Sequence, residues 1–425
     1  MSSTETSTRR FLFVLWDGGG NVPTQLGLAQ GLLERGHDVR VLTEDSLAAD
    51  VAAVGARFEP FVEAPNRPSH DVDLVADSEA RTPLGAFARV RDRMMMGPAA
   101  AHARDTCAAL ERERVDVVAS DYMLFGPPIA AESAGVPVAL IVHNTYIVPE
   151  PGKPAPGPGF APAHGPLGRV RDGVANRVLL ALFNRGLPAV NRARAEHDLP
   201  PLTHILEQLE HVDRVLVLTS ESFDFHGDSH PPHLRYVGPV LTEPEWVGEW
   251  SSPWPEDDPR PLVVVGFSST YMAQERVLAR TIDGLGRLDA RVLVTSGPAI
   301  DPASLPAAGN TAVVRSAPHA ELFPRAAAVV THAGLGTVTR ALAAGVPLVC
   351  LPMGRDQLDV AARVVHAGAG VRLRPGAKPA AIGAAVERVI SEPAFAAAAE
   401  RIGAHMLADA AAQGGIAELE ALASG

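Results

Sequence analysis

A glycine-rich turn at residues 331–337, which read THAGLGT, carries the clearest chemical signal in the sequence. The turn follows an apolar stretch that predicts a strand and begins a segment with helical periodicity. Free N–H groups and the positive end of a helix dipole attract anions there, and Gly334 and Gly336 let an oxyanion approach the backbone. With His332 and Thr337 in the same turn, the segment predicts a phosphate site. A turn whose glycines serve packing alone is the alternative.

A second polar segment, PMGRDQ at residues 352–357, follows the next apolar stretch. Its carboxylate, Asp356, and its amide, Gln357, could hydrogen-bond to sugar hydroxyls. Because ligands of open α/β sheets bind outside the carboxyl ends of the strands, both segments are expected to line one crevice.

A third turn, WDGGGNVP at residues 16–23, ends the first predicted strand. The dinucleotide-binding pattern G-x-G-x-x-G, counted from Gly18, would place Pro23 last, and proline has no N–H for a phosphate. The turn therefore argues against a dinucleotide cofactor. Asp17, at the tip of the strand, could instead take a proton from a hydroxyl as a general base, or merely cap the turn.

Two further ionisable residues, Asp121 and His143, end predicted strands in the same half of the chain. Asp121 could act as a base or support one. A histidine at a strand end is more often structural, so His143 ranks below the carboxylates as a candidate base.

Short apolar runs alternate with longer amphipathic ones along the whole chain, which is typical of βαβ units and a parallel sheet. The sequence therefore predicts an α/β protein made of two doubly wound sheets. Predicted strands lie at 11–16, 38–43, 115–120, 138–142 and 212–219, and again at 262–267, 292–296, 313–315, 327–331 and 347–351.

Two proline-rich segments interrupt this alternation. The first, 149–162, is expected to be a mobile surface loop because proline lacks the N–H that regular structure needs. The second, 238–260, reads as a linker between two domains, 1–237 and 261–425. We expect the last helix to pack back on the first domain.

Composition limits the class of protein. The chain has 425 residues and a net charge of −12, with no basic run, so we expect no nucleic-acid partner. The two cysteines, Cys107 and Cys350, suit a reducing cytosol, and no apolar run is long enough to insert in a membrane. No zinc-ligand or Walker pattern occurs, and we expect neither a metal nor a resident cofactor.

The motifs together resemble the donor-binding signature of inverting family-one glycosyltransferases with the GT-B fold, particularly bacterial natural-product enzymes of the macrolide type. The matching pieces, in order, are Pro318-His319, the turn from His332 to Thr337, Gly345-Val346-Pro347, and Asp356-Gln357. The resemblance implies two Rossmann-like domains facing a central cleft.

The resemblance also implies donor-binding roles. The turn would hold the diphosphate of a nucleotide sugar, the polar pair at the start of the later helix would bind the sugar, and the first histidine would lie near the nucleobase. The implied donor residues are Ser268, Ser269, His319, His332, Gly334, Gly336, Thr337, Asp356 and Gln357. Ser316 and Arg340 stand where the family usually has a base-stacking aromatic residue and a ribose-binding Glu, which leaves UDP and dTDP donors open.

The catalytic base departs from the family pattern, which places a histidine in the loop G-H-x-x-P. Alignment on Gly20 puts Asn21 at that position, whereas alignment on Val22-Pro23 puts Asp17 there. Asp121 resembles the Asp that orients the missing histidine. Asp17 and Asp121 are thus the catalytic candidates, and Asn21 and His143 are acceptor contacts or alternative bases.

The resemblance implies transfer of a sugar from a UDP- or dTDP-sugar to a hydroxyl of a hydrophobic natural product such as a polyketide, macrolide or flavonoid. The acceptor pocket would be built from segments 60–100 and 143–170. C-glycosylation of a phenol is an alternative. A nucleotide-sugar epimerase, or an NAD-dependent oxidoreductase with Glu44 or Asp45 on the ribose, is a less favoured one. The sequence does not indicate an oligomeric state.

Overall fold

The computed structural model describes residues 8–70, 72–227, 230–242, 250–267, 274–297, 300–306 and 308–425. Within these ranges the strands form two separate parallel sheets, one from each half of the chain. The predicted α/β class with two doubly wound sheets is confirmed.

The first sheet has seven strands in the order β3-β2-β1-β4-β5-β6-β7. This order reverses direction beside β1, so the carboxyl ends of β1 and β4 flank a crevice. The strands are β1 (Arg10–Val14), β2 (Asp38–Thr43), β3 (Arg57–Pro60), β4 (Val117–Asp121), β5 (Val138–Val142), β6 (Arg214–Val217) and β7 (Leu234–Tyr236).

The second sheet has six strands in the order β10-β9-β8-β11-β12-β13, with its own reversal beside β8. Its central strands are buried apolar runs, as a parallel sheet covered on both faces requires. The strands are β8 (Leu262–Gly266), β9 (Arg291–Thr295), β10 (Thr311–Val314), β11 (Ala326–Thr331), β12 (Leu348–Cys350) and β13 (Gly370–Arg372).

Helices cover both faces of each sheet. Those of the first half are α1 (Val22–Glu34), α2 (Ala48–Ala53), α3 (Pro83–Val90), α4 (Ala99–Arg112), α5 (Gly126–Ala134), α6 (Pro166–Asn184) and α7 (Leu187–Glu196). Those of the second half are α8 (Glu275–Leu285), α9 (His319–Leu322), α10 (Leu335–Ala343), α11 (Gln357–His366), α12 (Pro379–Ser391), α13 (Pro393–Ala411) and α14 (Gly414–Ser424). Among the described helices, none is both long and apolar enough to span a bilayer.

The last helix, α14, packs on the first sheet rather than on the second. Ile416 and Leu419 are buried in the core that surrounds β1, and the Ile416 side chain fills the space beside Gly31 of α1. The chain therefore crosses between its halves twice. The domain boundaries at 237 and 261 stay a prediction.

The proline-rich loop is irregular, as expected, but it is not a free surface segment. Lys153, Ala155 and Gly159 are buried. The N–H groups of Gly157 and Gly159 donate to the two carboxylate oxygens of Asp359 on α11, at 2.5 and 2.9 Å. The loop is therefore fastened to the second half of the chain, which supplies acceptors for these backbone groups, and its mobility stays a prediction.

Candidate active site

Asp121, the last residue of β4, is the centre of a buried hydrogen-bond network. Its Oδ2 accepts from the side-chain amides of Asn21 at 2.9 Å and Gln25 at 2.6 Å, and its Oδ1 accepts from the Met123 N–H at 3.0 Å. Burial raises the pKa of this carboxyl, but nearby His143 and the hydrogen bonds outweigh burial and the pKa is lowered. Asp121 is therefore ionised at neutral pH.

Asn21 is a structural cross-link. Its amide nitrogen donates to the Trp16 carbonyl and to Asp121, and its oxygen accepts from the Gly18 N–H. A Cβ on Gly18 would lie 2.7 Å from Asn21 Oδ1, and Gly19 has a φ of +78°. The glycines of this turn thus make room for Asn21, and nothing about them requires a phosphate.

His143, just after β5, is the imidazole that reaches Asp121. Its Nδ1 lies 3.3 Å from Asp121 Oδ2, and its ring packs against Tyr122 with 5.1 Å between centroids. His143 also lowers the pKa of Asp356 from the second half of the chain, although burial raises that pKa overall. His143 therefore lies beside Asp121 and close enough to Asp356 for its charge to affect that carboxyl.

Asp17 lies in a different cluster. Its Oδ2 accepts from Ser46 Oγ at 2.9 Å and lies 2.8 Å from His70 Nδ1 and 3.4 Å from an Arg67 nitrogen. The carboxylate and Arg67 are buried near the end of β2, whereas His70 is exposed. The structure does not join Asp17 to the Asp121 network, and the role of Asp17 as base stays a prediction.

Glu44 is unsuited to the ribose of a dinucleotide. It is buried, and its Oε2 accepts the Asp17 N–H at 3.0 Å. Burial raises the pKa of Glu44 to about 7, with the Arg67 charge acting in the opposite direction. Pro23, which has no N–H for a phosphate, already argues against the oxidoreductase alternative, and the burial of Glu44 is a second argument against it.

The donor turn lies between β11 and α10, where the sequence predicted it. Helix α10 begins after Gly334, and among the described residues no side chain caps its first N–H groups, so these donors are left for a ligand or water. A Cβ on Gly334 would lie only 2.5 Å from His332 Nε2, so glycine is needed here to seat the imidazole. Burial lowers the pKa of His332 to about 4, and this histidine is neutral at pH 7.

Left-handed backbone conformations occur in both segments predicted to bind the donor. Ala333 in the donor turn has a φ of +70°, and Arg355, next to Asp356, has a φ of +54°. Left-handed conformations at non-glycine residues cost roughly 1–3 kcal/mol each and persist where the surroundings enforce them, often at ligand sites. Both segments predicted to bind the donor therefore have an enforced backbone shape.

His319 and Arg340 lie together near the predicted nucleobase position. The His319 ring stacks on Phe323 with 4.4 Å between centroids, and burial lowers its pKa to about 4, with a smaller contribution from Arg340. Arg340 donates to the Gly336 carbonyl at 3.1 Å and to the Thr242 carbonyl. The residue that replaces the family's Glu thus joins the donor turn to the interdomain segment.

The predicted sugar-binding pair is only partly directed at the cleft. Asp356 is half-buried at the start of α11 and lies near His143 and Tyr122. The oxygen of Gln357 instead accepts from the N–H groups of Met353 and Gly354 at 2.7 and 3.2 Å. Gln357 therefore shapes the loop that presents Asp356.

Three contacts between the halves surround this loop. Arg355 pairs with Asp77 at 3.1 Å, Asp359 holds the proline-rich loop, and Arg363 pairs with buried Asp224 at 2.6 Å. Residues 355–363 are thus fastened to both segments predicted to build the acceptor pocket. These pairs leave no local signal in the sequence, because each joins residues that lie far apart in the chain.

The structure brings together Asn21, Asp121, His143 and Asp356 across the cleft, and His332, Gly334, Gly336 and Thr337 at one turn. It places Asp17 apart. Ser268 and Ser269 lie outside the described residues. Tyr122 was missed, although it directly follows Asp121; its hydroxyl accepts from Asn144 at 3.2 Å.

Two parallel-sheet domains that face each other across such a cleft define the GT-B fold. Solved structures agree: the glycosyltransferase of kitacinnamycin superposes with a TM-score of 0.74 at 20% identity, covering 98% of this chain and 99% of that one. CalG4, the calicheamicin glycosyltransferase, gives a TM-score of 0.71 at 23% identity, with 98% and 99% covered.

Sequence relatives define the family. The chain is 32% identical over 421 residues to 4'-demethylrebeccamycin synthase of Lentzea aerocolonigenes, covering 92% of this chain and 94% of the relative. Demethyllactenocin mycarosyltransferase of Streptomyces fradiae is 25% identical, with 86% and 75% covered. Residues 279–422 match the family described as erythromycin biosynthesis protein CIII-like, C-terminal domain. The chain belongs to the natural-product glycosyltransferases of antibiotic pathways.

Proposed function

We propose that this enzyme is an inverting glycosyltransferase in which His143, oriented by Asp121, is the general base. The observation that carries the proposal is the 3.3 Å approach of His143 Nδ1 to the ionised Asp121 carboxylate, at strand ends that face the second domain. An ionised carboxylate beside an imidazole fixes the ring and stabilises the imidazolium that forms when the ring takes a proton. His143 would thus replace the histidine that Asn21 displaces.

In the proposed reaction the acceptor hydroxyl gives its proton to His143 while its oxygen attacks the anomeric carbon of the sugar. The bond from that carbon to the diphosphate breaks on the opposite face, so the configuration inverts. The N–H groups at the start of α10 receive the departing diphosphate. Neutral His332 adds a hydrogen bond without a full charge. This chemistry uses no metal.

We further propose that Asp356 accepts hydrogen bonds from hydroxyls of the transferred sugar, since its carboxylate lies at the cleft near His143. The contacts of Arg355 and Asp359 would hold Asp356 against the acceptor loops. The acceptor is proposed to be a hydrophobic small molecule of the polyketide, macrolide or flavonoid type, as the resemblance implies.

The assignment of the base is tested by comparing His143→Ala, Asp121→Asn and Asp17→Asn. We expect His143→Ala to lower kcat by about two to four powers of ten, the usual contribution of a general base, with unchanged donor affinity. Asp121→Asn should follow it, and the wild-type kcat/KM should decline toward acid as a one-proton step. Rates should be measured with a phenol and with an aliphatic alcohol, because the more acidic phenol needs less help.

Asp17→Asn is the control, because its carboxylate is similarly buried but belongs to the other cluster. If Asp17→Asn abolished turnover on both acceptors while His143→Ala stayed active, the base would be Asp17 and this proposal would be wrong.

The nucleotide is proposed to be thymidine diphosphate rather than uridine diphosphate. Arg340, which replaces the family's ribose-binding Glu, is bonded to two carbonyls and offers no acceptor for a ribose 2′-hydroxyl. VinC, a structural neighbour at 20% identity and a TM-score of 0.69, was solved in complex with DTDP. Calorimetry should find that dTDP binds at least as tightly as UDP. A clear preference for UDP would contradict this choice.

A further inference from the structure

A cluster of metal-binding side chains lies outside the cleft, on the loop between β6 and β7. Glu221, His226 and His230 are exposed, and each places one ligand atom within 4.8 Å of those of the other two. The His230 Nε2 is 4.0 Å from Glu221 Oε1, and the two imidazole centroids are 5.2 Å apart. The sequence predicted no metal site, and the function proposed above makes no use of these residues.

We propose that Glu221, His226 and His230 form a binding site for Zn²⁺. Two imidazoles and one carboxylate are a donor set that suits this ion, at bond lengths of about 2.0–2.2 Å. Three donors on one tetrahedral zinc lie about 3.3 Å apart. Small rotations of three exposed side chains are enough to reach that spacing. The remaining coordination position would be open to water.

Buried Glu150 is a second, independent feature of the same place. It is 8% exposed, and in the described part of the chain neither carboxylate oxygen has a hydrogen-bond partner of good geometry. It lies against the loop, since a Cβ on Gly227 would be 2.8 Å from Glu150 Oε2, and Lys153 and His230 both lower its pKa against the effect of burial. A buried carboxylate of this kind favours a cation beside it.

Zinc bound at this site would stabilise a contact between the two halves of the chain. The loop that carries the three ligands also carries Asp224, whose buried carboxylate pairs with Arg363 of α11. It accepts as well from the Tyr146 N–H and the Tyr236 hydroxyl. Zinc bound at residues 221–230 would hold this loop, and with it Asp224, in place. The role is therefore structural, and the sugar transfer itself does not need the ion.

The test uses untagged full-length protein that has been treated with EDTA and dialysed. ZnCl₂ is titrated in competition with a chromophoric chelator, and the unfolding temperature is measured with and without zinc. We expect one zinc ion per chain and a higher unfolding temperature. His226→Ala and His230→Ala should lose both effects, and Glu150→Gln should weaken binding by about tenfold, as loss of a supporting carboxylate does. MgCl₂ should have no effect, because magnesium prefers oxygen ligands.

His405→Ala is the matched control, since this exposed histidine lies on α13 and is not one of the three clustered donor side chains. It should bind zinc as the wild type does. Circular dichroism of each variant checks that it is folded. The proposal is overturned if the wild type binds no zinc in competition with the chelator. It is equally overturned if folded His226→Ala and His230→Ala bind zinc as tightly as the wild type.

Discussion

The two halves of the chain line the two walls of the cleft with different polar groups: the first wall carries an ionised carboxylate, and the second carries neutral histidines and backbone N–H groups. On the first wall, ionised Asp121 is enclosed by Asn21, Gln25 and His143, so a full charge is held in a network of side chains. On the second wall, His319 and His332 are neutral, and the turn before α10 offers backbone N–H groups. The first wall therefore contains a full negative charge, and the second contains neutral dipoles.

This difference corresponds to two steps of the proposed reaction. A general base is helped by a nearby negative charge, which stabilises the positive charge that the base acquires with the proton. A diphosphate that arrives and leaves is better served by fixed dipoles, since these are already oriented when the negative charge develops. The two walls should therefore respond differently to substitution and to pH.

The largest expected effect on the second wall is that of His332→Ala. Removal of the imidazole takes away a donor to the diphosphate that acts most strongly in the transition state, and the rate should fall by about ten- to a thousandfold. Steady-state kinetics with saturating donor measures this loss. Unchanged turnover would remove His332 from the donor site.

A pair of glycines sharpens this prediction. Gly334→Ala would push a methyl group against His332 Nε2, whereas the space around Gly20 on the first wall is open. Gly334→Ala should therefore reproduce part of the His332→Ala defect, about tenfold, while Gly20→Ala stays close to the wild type. If the two substitutions lowered the rate equally, the loss would come from reduced backbone flexibility and not from displacement of the His332 imidazole.

The neutral histidines predict how stability depends on pH. His102, His319 and His332 each have a pKa lowered to about 4 by burial, below the value near 6.5 of an unfolded chain. The unfolded state thus binds protons first as the pH falls. Stability should be fully present above about pH 6.5 and decrease toward pH 4, by about 1.4 kcal/mol per pH unit for each histidine.

Denaturant unfolding between pH 7 and pH 4.5 measures this slope. His319→Asn should reduce it by the share of one histidine. A slope that does not change in this variant would mean that His319 is already protonated in the folded protein.

A smaller effect is expected from Asp359→Asn, at the joint between the walls. The substitution weakens two charge-assisted hydrogen bonds to the proline-rich loop, and such bonds contribute roughly 1.5–3 kcal/mol each. Because we expect the loop to belong to the acceptor pocket and α11 to the donor site, KM for the acceptor should rise by about tenfold. The affinity for dTDP, measured by calorimetry, should not change.

Glu392→Gln is a suitable control, since it neutralises a carboxylate on the same half that, in the described part of the chain, pairs with the local Arg388 of α12 at 2.9 Å. If the acceptor KM also rose in this control, the contact between Asp359 and the proline-rich loop would have no specific role in acceptor binding.

Local sequence patterns were sufficient for the two sheets and the donor turn. The central strands are continuous apolar runs, and the turn at Gly334 and Gly336 is built from adjacent residues, so both leave a signal within a short window. The edge strands β3, β7 and β13 were missed. They are only three or four residues long, lie at the sheet margins and include polar, partly exposed residues.

The catalytic side was decided only by the tertiary structure. Asn21 and Asp121, which bond to each other, are 100 residues apart, and Asp359 and Gly157 are 202 residues apart. The sequence placed Asp17, Asp121 and His143 at strand ends, but it could not say which pair would meet. Strand order and side-chain direction determine that choice, and both depend on how distant segments pack. A single sequence therefore specifies the elements and the turns, while the pairing of functional groups arises from the fold.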